Sequence, residues 1–256
     1  MLVLLPPSEG KAAPRRRGRP TEVGALSFPE LASTRDKLID SLVRLSAEPD
    51  AALLLGFGPS LADEVRRNTL LERLPAAPVL EVYTGVLYDA LDYATLSSAA
   101  RRRAGRSLLV QSALWGLVGP RDRIAPYRLA IGSTLPGMGP LAALWRQVLQ
   151  QPLSRAAGTG VLVDCRSSSY AAAWQPAGEL ARRTVAVRVF TERDGRRTVV
   201  SHQAKHTRGL VARWLLEAPD LARTPAQVAE LVGGRLRCEL VDQGRRGFAL
   251  DVLEGT

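Results

Sequence analysis

Residues 184–201 read TVAVRVFTERDGRRTVVS, a run in which valine-rich arms flank the dipeptide Asp194-Gly195. β-Branched residues on both sides of an Asp-Gly pair are typical of a β-hairpin closed by a two-residue turn. Apolar residues at helical spacing follow over residues 203–217, so the pattern changes from strand to helix within a few positions. The stretch therefore predicts a hairpin that leads directly into a helix, and it indicates a fold that mixes strands with helices.

The flanking sequence continues this mixture on both sides. Apolar runs bounded by turn residues predict further strands, at residues 2–5, 80–84, 108–114, 161–165, 235–241 and 247–253. Helical spacing and capping residues predict helices at residues 31–45, 60–74, 85–92 and 140–150, and a short one opening at Thr224-Pro225. The sequence contains neither an internal repeat nor a clear linker. We therefore expect one mixed α/β (α+β) domain over residues 1–256, with a mixed sheet and surrounding helices.

Composition bounds the class of protein. With 46% hydrophobic residues among 256, the chain can bury a substantial core. The two cysteines, Cys165 and Cys238, lack the paired spacing of a zinc site or a disulfide framework, which favours a reducing compartment. The apolar run at residues 1–5 is too short for a signal peptide, and no run approaches the roughly 18 residues that span a membrane. We expect a cytoplasmic protein without a membrane partner.

Charge is the first functional signal. The net charge of +10 at pH 7 attracts polyanions, of which nucleic acid is the most abundant in cells. Only three of the 35 basic residues are lysines: Lys11, Lys37 and Lys205. Lys37 lies in an ordinary amphipathic pattern, whereas Lys11 and Lys205 lie in glycine- and serine-bearing segments. Retained lysines of this kind indicate a need for a compact ammonium or a titratable amine, although arginines that merely solvate the surface remain an alternative for the charge as a whole.

The most informative segment is residues 201–209, SHQAKHTRG. If Gln203 opens the helix, Lys205 and Arg208 lie three apart on one face. Cations near a helix N-terminus are unfavourable unless an anion occupies the site, because the free N–H groups and the dipole are already positive there. The segment therefore favours a bound phosphate over a solvated run of charge.

His202 and His206, four apart in the same segment, have the spacing of metal ligands on one helical face. The sequence identifies no third ligand, and cations flank both histidines. We therefore expect no metal site here.

Residues 5–11, LPPSEGK, follow the first predicted strand and offer a hydroxyl, a carboxylate and an ammonium in Ser8, Glu9 and Lys11. The segment lacks the spaced glycines and the Lys-Ser/Thr pair of a P-loop, and we expect no cofactor. Residues 164–170 leave another strand into a polar turn that carries Ser168 and Tyr170. Such turns are a usual place for ligand contacts in α/β sheets, and a plain connector is the alternative.

Aromatic side chains lie beside arginines in residues 81–85 and 115–128, which suits base stacking combined with phosphate contact. The relevant residues are Tyr83, Thr84, Arg121, Arg123 and Arg128. A purely structural role for these two segments remains open.

Taken in order, five segments resemble the motifs of the YaaA peroxide-stress family, and the resemblance extends to about residue 217. These segments are LPPSEGK at 5–11, VYTG at 82–85, LWGLVGPRD at 114–122 followed by APYRL at 125–129, VDCRSSSY at 163–170, and AKHTRG at 204–209. The resemblance implies a bacterial cytoplasmic protein whose mixed α/β fold encloses a basic cleft. It also implies survival of hydrogen peroxide, limitation of free iron, and binding of DNA, including bulged or branched forms, through that cleft and a helix-hairpin-helix-like element.

By position, the resemblance assigns functional roles to Lys11, Tyr83, Thr84, Arg128, Tyr170, Lys205 and Arg208. The full candidate set for nucleic-acid or phosphate binding is Ser8, Lys11, Thr84, Arg121, Arg123, Arg128, Ser168, Tyr170, Lys205 and Arg208. Two features depart from the family pattern: the first motif reads PPSEGK instead of the form SPAK, and His202 and His206 occupy positions that need not be histidine in the family. Residues 116–119 fit a helix-hairpin-helix turn only loosely.

Three functions follow as alternatives. The first is a monomeric DNA-binding protein of peroxide defence, which binds duplex or bulged DNA without sequence specificity and limits iron-dependent damage. The second is an enzyme acting on a nucleotide or nucleobase in the same cleft, with Lys205, Lys11 and Tyr83 as candidate catalytic residues. The third is a protein-interaction module whose arginines bind an acidic partner.

Overall fold

The computed structural model describes residues 1–193, 196–199 and 201–254, so the predicted turn Asp194-Gly195 lies outside the described residues. The strands are β1 (Leu2–Leu5), β2 (Ala77–Pro78), β3 (Leu108–Ser112), β4 (Gly116–Val118), β5 (Arg123–Ile124), β6 (Thr134–Leu135), β7 (Gly139–Pro140), β8 (Leu162–Asp164), β9 (Thr184–Arg193), β10 (Arg196–Thr198), β11 (Cys238–Asp242) and β12 (Phe248–Glu254). The helices are α1 (Ala32–Ser46), α2 (Ala51–Leu54), α3 (Ala62–Arg67), α4 (Val79–Val82), α5 (Val86–Leu91), α6 (Ser98–Ser107), α7 (Leu141–Val148), α8 (Gln150–Ala157), α9 (Ser168–Ala173), α10 (Gly178–Arg182), α11 (Ser201–Glu217) and α12 (Pro225–Gly233).

The main sheet has the order β11-β12-β9-β8-β1-β3-β4, and β10 pairs with β9. Its centre is parallel, since β1 pairs in parallel with β3 and β8, and β9 with β8 and β12. Antiparallel pairs β3–β4 and β11–β12 close the two edges. The central strands are buried on both faces, as the continuous apolar runs predicted. The mixed α/β prediction is confirmed.

The strand order creates a crevice between β1 and β8. After β1, the next strand of this sheet is β3 on one side; after β8, it is β9 on the other. The connections that leave the carboxyl ends of β1 and β8 therefore diverge, and in α/β sheets ligands bind at such a switch point. Residues 6–11 and 165–170, two of the segments selected from the sequence, are the ones that leave these strand ends.

Helix α11 packs closely against α5, and Gly209 is the reason that it can. A Cβ at this position would lie 2.2 Å from the carbonyl oxygen of Leu87 and 2.8 Å from the Cβ of Ala90. The opposite side of α11 is anchored by buried apolar residues, including Val211 and Leu215. The contact therefore fixes the first turns of α11 beside the start of α5.

Three local predictions are wrong. Residues 80–84 were expected to form a strand, but Val79 and Val82 are buried on one face of the helical turn α4. The helix predicted at 60–74 is α-helical only in α3 and tightens into a 3-10 turn at Asn68–Leu70. Residues Gly116–Val118 form β4, paired antiparallel with β3, so this segment is not a helix-hairpin-helix turn. Among the described helices, none combines the length and the apolar character that crossing a membrane requires.

Candidate functional site

A cavity of about 670 Å³ opens at the crevice between β1 and β8. Five separate parts of the chain line it: residues 6–10 after β1, residues 84–88, residues 167–170 after β8, Val199, and helix α11. The predicted site residues on its walls are Ser8, Thr84, Ser168, Tyr170, Lys205 and Arg208. The fold thus brings together six candidates that are far apart in the sequence.

A second pocket, of about 460 Å³, adjoins this cavity and contains Lys11 and Arg128. The two spaces share a wall made by residues 7–9 and 169–170. Much of the remaining lining of the second pocket is apolar, with Phe57, Leu61, Leu129 and Ile131 among its residues. Eight of the ten candidates therefore line two adjoining pockets.

Arg121 and Arg123 are not part of this group. Arg121 lines a different cavity, and its Nε would lie 3.5 Å from a Cβ at Gly105. Arg123 donates a hydrogen bond to the carbonyl of Ala76 at 2.8 Å. Of the three arginines in residues 115–128, only Arg128 lines either of the two adjoining pockets.

The loop after β1 is tied to the segment that precedes α5. Ser8 Oγ donates to the carbonyl of Gly10 and accepts a hydrogen bond from the Thr84 N–H at 3.1 Å. The Ala12 N–H donates to the carbonyl of Val82 at 2.9 Å. Two motifs that are more than 70 residues apart in the sequence therefore form one structural unit.

Lys11 lies at the base of this unit, half-buried. Its Nζ donates to the carbonyls of Ser8 at 2.9 Å and Glu9 at 3.2 Å. The same atom lies 4.4 Å from the ring centroid of Tyr127 and 5.7 Å from that of Tyr83. The amine is thus held against two aromatic faces.

The surroundings of Lys11 disfavour its charged form. Burial, followed by the positive charge of Arg128, lowers the pKa of Lys11 to about 7, although Glu64 and Glu9 act in the opposite direction. Desolvation and a like charge are the two influences that shift a lysine toward the neutral amine. A substantial fraction of Lys11 is therefore neutral near pH 7.

The tyrosines beneath Lys11 form a buried hydrogen-bond cluster. The Tyr127 hydroxyl lies 2.7 Å from Ser112 Oγ and 3.2 Å from the Tyr83 hydroxyl. Burial, followed by Tyr127, raises the pKa of Tyr83 well above its ordinary value, so its hydroxyl stays protonated. Tyr83 is only 1% exposed, and its position suits the support of Lys11 better than proton transfer to a ligand.

Sequence reasoning missed a buried ion pair behind the serines at the start of α9. Arg166 donates to both carboxylate oxygens of Asp164, at 2.8 and 2.7 Å, and to the carbonyls of Tyr170 and Trp174. Burial opposes ionisation of Asp164, but the charge and hydrogen bonds of Arg166 outweigh it and lower the pKa of Asp164. The pair holds the short helix α9, on which Ser168 and Tyr170 lie. Both residues lie within the quoted motif VDCRSSSY, but nothing in the sequence marks them as buried.

Lys205 and Arg208 lie on one wall of the main cavity, as their spacing predicted. Arg208 is half-buried, and its Nε donates to the carbonyl of Val187 at 3.2 Å, whereas Lys205 is exposed. His202 and His206 are also exposed. In the part of the chain that the structure describes, they belong to no group of three or more histidine, cysteine or acidic residues that could hold a metal ion.

Comparison with known proteins identifies the family of this chain. The family model described as peroxide stress protein YaaA matches residues 1–231. The chain belongs to the YaaA family. The match takes in every element that lines the two pockets, from β1 to α11, so the resemblance of the five motifs is confirmed.

Relatives in the YaaA family carry the name UPF0246 protein. The one from Streptomyces coelicolor is 48% identical to this chain, and the match covers 99% of this chain and 98% of the relative. The one from Corynebacterium efficiens is 38% identical over 96% and 97%. A more distant relative, from Burkholderia lata, is 30% identical over 77% and 80%.

Proposed function

We propose that this YaaA-family chain is a monomeric cytoplasmic protein of the peroxide-stress response that binds DNA through its phosphates and limits iron-dependent damage. The observation that carries the proposal is the composition of the cavity under α11. Lys205 and Arg208 face a space whose other walls carry the hydroxyl-bearing residues Ser8, Thr84 and Ser168. Cations combined with short hydroxyl side chains are the groups that contact a nucleic-acid backbone.

The local electrostatics favour an anion in this cavity. Lys205 and Arg208 are the fifth and eighth residues of α11, so they lie beyond the first turn, to which the positive potential of the helix N-terminus is confined, and their own charges supply the attraction. An anion placed between these side chains is stabilised by both cations and offsets their mutual repulsion. Among the described residues that line the cavity, Glu9 is the only carboxylate. With a net charge of +10, the chain as a whole also attracts polyanions.

Binding of this kind predicts a steep dependence on salt and little dependence on sequence. Fluorescence anisotropy measures the affinity for labelled duplexes of two sequences and for a bulged duplex. Each affinity is measured at about 50 and 200 mM salt, which gives the dependence on salt and on sequence. Arg208→Ala should weaken binding to all of the duplexes by a similar factor, about tenfold, and should make the salt dependence shallower. Lys205→Arg should retain most of the affinity, because a phosphate contact requires charge and not a titratable amine.

Arg121→Ala is the matched control, since it removes an equally charged side chain that lines a different cavity. Loss of affinity in this variant but not in Arg208→Ala would place the DNA on another face of the protein. Absence of binding at low salt, or an affinity that ignores salt, would contradict the proposal as a whole.

An enzyme acting on a nucleotide or nucleobase in the same cavity is the second candidate. The observation in its favour is that the cavity continues into a smaller pocket that contains a partly neutral amine, Lys11. Lys205, the residue first considered for catalysis, is exposed, which suits a phosphate contact better than a desolvated catalytic amine. If Lys205→Arg still bound the nucleotide or nucleobase substrate but no longer converted it, Lys205 would be a catalytic amine and not a phosphate contact.

A further inference from the structure

The smaller pocket combines an amine with a guanidinium in mostly apolar surroundings. Lys11 and Arg128 share its lining with Phe57, Leu129 and Ile131, among other residues. Apolar walls exclude water and make a charged ammonium costly. A lysine that is desolvated beside another cation is a known arrangement for a nucleophilic amine.

The contacts of Lys11 leave its amine available for chemistry. The acceptors that its Nζ contacts are backbone carbonyls, and among the described residues no carboxylate forms an ion pair with it. The charged and titratable groups around it are Arg128, Glu64, Glu9 and the two phenols described above. A structural lysine would be expected to pair with an acid, whereas this one faces a cation.

Arg128 supplies an unsatisfied donor in the same pocket. The residue is 9% exposed, and its Nη1 donates to the carbonyl of Glu9 at 2.9 Å and lies 3.4 Å from the half-exposed carboxylate of Glu64. Its Nε is buried without a hydrogen-bond partner among the described residues. A buried donor without a partner is costly, and the guanidinium that carries it lines the pocket, so an anionic group of a ligand is favoured beside Arg128.

We infer that Lys11 forms an imine with an aldehyde or ketone that carries an anionic group, and that Arg128 binds that group. The neutral Nζ adds to the carbonyl carbon as the C=O π bond opens. The oxygen gains a proton while the nitrogen releases one to solvent, which gives a carbinolamine. The same oxygen then takes a second proton from solvent and leaves as water, the nitrogen lone pair forms the C=N bond, and the resulting protonated imine returns a proton to solvent to give the neutral imine. One water is released, and the reaction needs no oxidant or reductant.

Imine formation at Lys11 would give the protein an activity beyond phosphate binding, and it does not depend on DNA binding at α11. An anionic carbonyl compound has two sources: a small phosphorylated aldehyde, or the sugar aldehyde that remains in DNA when a base has been lost. Both present an aldehyde carbon close to a phosphate. The test therefore uses one probe of each kind.

Reductive trapping of the full chain with cyanoborohydride at pH 7 tests the inference, because the reagent converts an imine into a stable secondary amine. The small probe is glyceraldehyde 3-phosphate, with uncharged propanal as its matched control, and the DNA probe is a duplex with one abasic site. Peptide mass spectrometry then locates the adducts. Lys37, exposed and outside both pockets, is the internal control for an ordinary lysine, and Lys205, exposed in the proposed phosphate cavity, controls for labelling caused by a bound phosphate alone.

An ordinary lysine is neutral in roughly one molecule in 2,500 at pH 7, whereas a lysine with a pKa of about 7 is about half neutral. The lower basicity of Lys11 also reduces its intrinsic reactivity, so we expect adducts at Lys11 to form at least tenfold faster than at either control lysine. The phosphate aldehyde should react faster than propanal, and Arg128→Met should remove that preference.

Trapping at Lys11 by either probe supports the inference, and the probe that reacts identifies the source of the carbonyl. Equal labelling of the three lysines, or no adduct at Lys11 in the wild-type chain, would overturn it; neither result depends on the folding of a variant. If Arg208→Ala left DNA affinity unchanged while glyceraldehyde 3-phosphate still labelled Lys11, the proposed DNA cleft would fail and the imine site would stand.

Discussion

Replacing Gly209 with alanine tests how strongly the site depends on the contact between α11 and α5. The new Cβ would lie 2.2 Å from the Leu87 carbonyl oxygen, against an ordinary contact of at least 3.4 Å, so the two helices must separate by about 1 Å. Overpacking of this kind costs about 1–3 kcal/mol. Alanine in a helix interior returns up to about 1 kcal/mol relative to glycine. Because the clash is with backbone, we expect a net loss of about 2 kcal/mol in the free energy of unfolding.

The assay is urea denaturation followed by tryptophan fluorescence, with Gly105→Ala as the matched control. Gly105 lies inside α6, and the atoms nearest to a Cβ there belong to the Arg121 side chain, at an ordinary contact distance of 3.5 Å. The same chemical change should therefore stabilise the protein by about 0.5–1 kcal/mol at this position. Only Gly209→Ala should also weaken DNA binding, since it displaces the wall that carries Lys205 and Arg208. Equal stability changes in the two variants would refute the reasoning about the helix contact.

Two further predictions concern buried charge. Arg166→Met should lower the free energy of unfolding by about 3–5 kcal/mol, because it leaves the carboxylate of Asp164 buried without its partner; urea denaturation should show part of this loss restored when Asp164→Asn is added. Lys11→Met removes a group that is neutral in the folded protein above about pH 7 but keeps its proton in the unfolded chain up to about pH 10.4. Folding of the wild-type chain therefore releases a proton in this window, and its stability relative to Lys11→Met should rise with pH, by about 2 kcal/mol between pH 7 and pH 9, close to the maximum of about 2.7 that release of one full proton would give. A difference in unfolding free energy that stays constant or falls over this range would show that Lys11 is not shifted downward.

The sequence predicted most elements whose signals are local. The strand at residues 2–5 was placed without error, and the helix expected at 203–217 begins two residues earlier, as α11. Thr224 caps α12 with a full capping box, as the Thr-Pro pair indicated. The apolar residues at 80–84 were misassigned because a run this short fits either one turn of helix or a strand, and only tertiary packing distinguishes the two.

The grouping of the site residues depended on information that the sequence does not contain. Motifs after β1 and β8 are about 160 residues apart, and they meet only because β8 pairs with β1 in the sheet. Arg121 and Arg128 lie in one motif, yet Arg128 is 9% exposed in the smaller pocket and Arg121 lines another cavity. Which arginines of a basic segment face a cleft is therefore set by strand order and by packing at each position, not by charge.

The rarity of lysine in this chain acquires a more specific meaning from the structure. Lys11 and Lys205, the two lysines in glycine- and serine-bearing segments, are both candidates for a titratable amine. Their surroundings differ, because Lys205 is exposed, whereas Lys11 is half-buried against Tyr127 and beside Arg128. Arginine does not lose its proton at physiological pH, so at position 11 it would place a second permanent charge beside Arg128 in an apolar pocket. Lysine avoids that cost by releasing its proton. Position 11 is therefore the one that requires an amine, because a permanent positive charge there would be unfavourable.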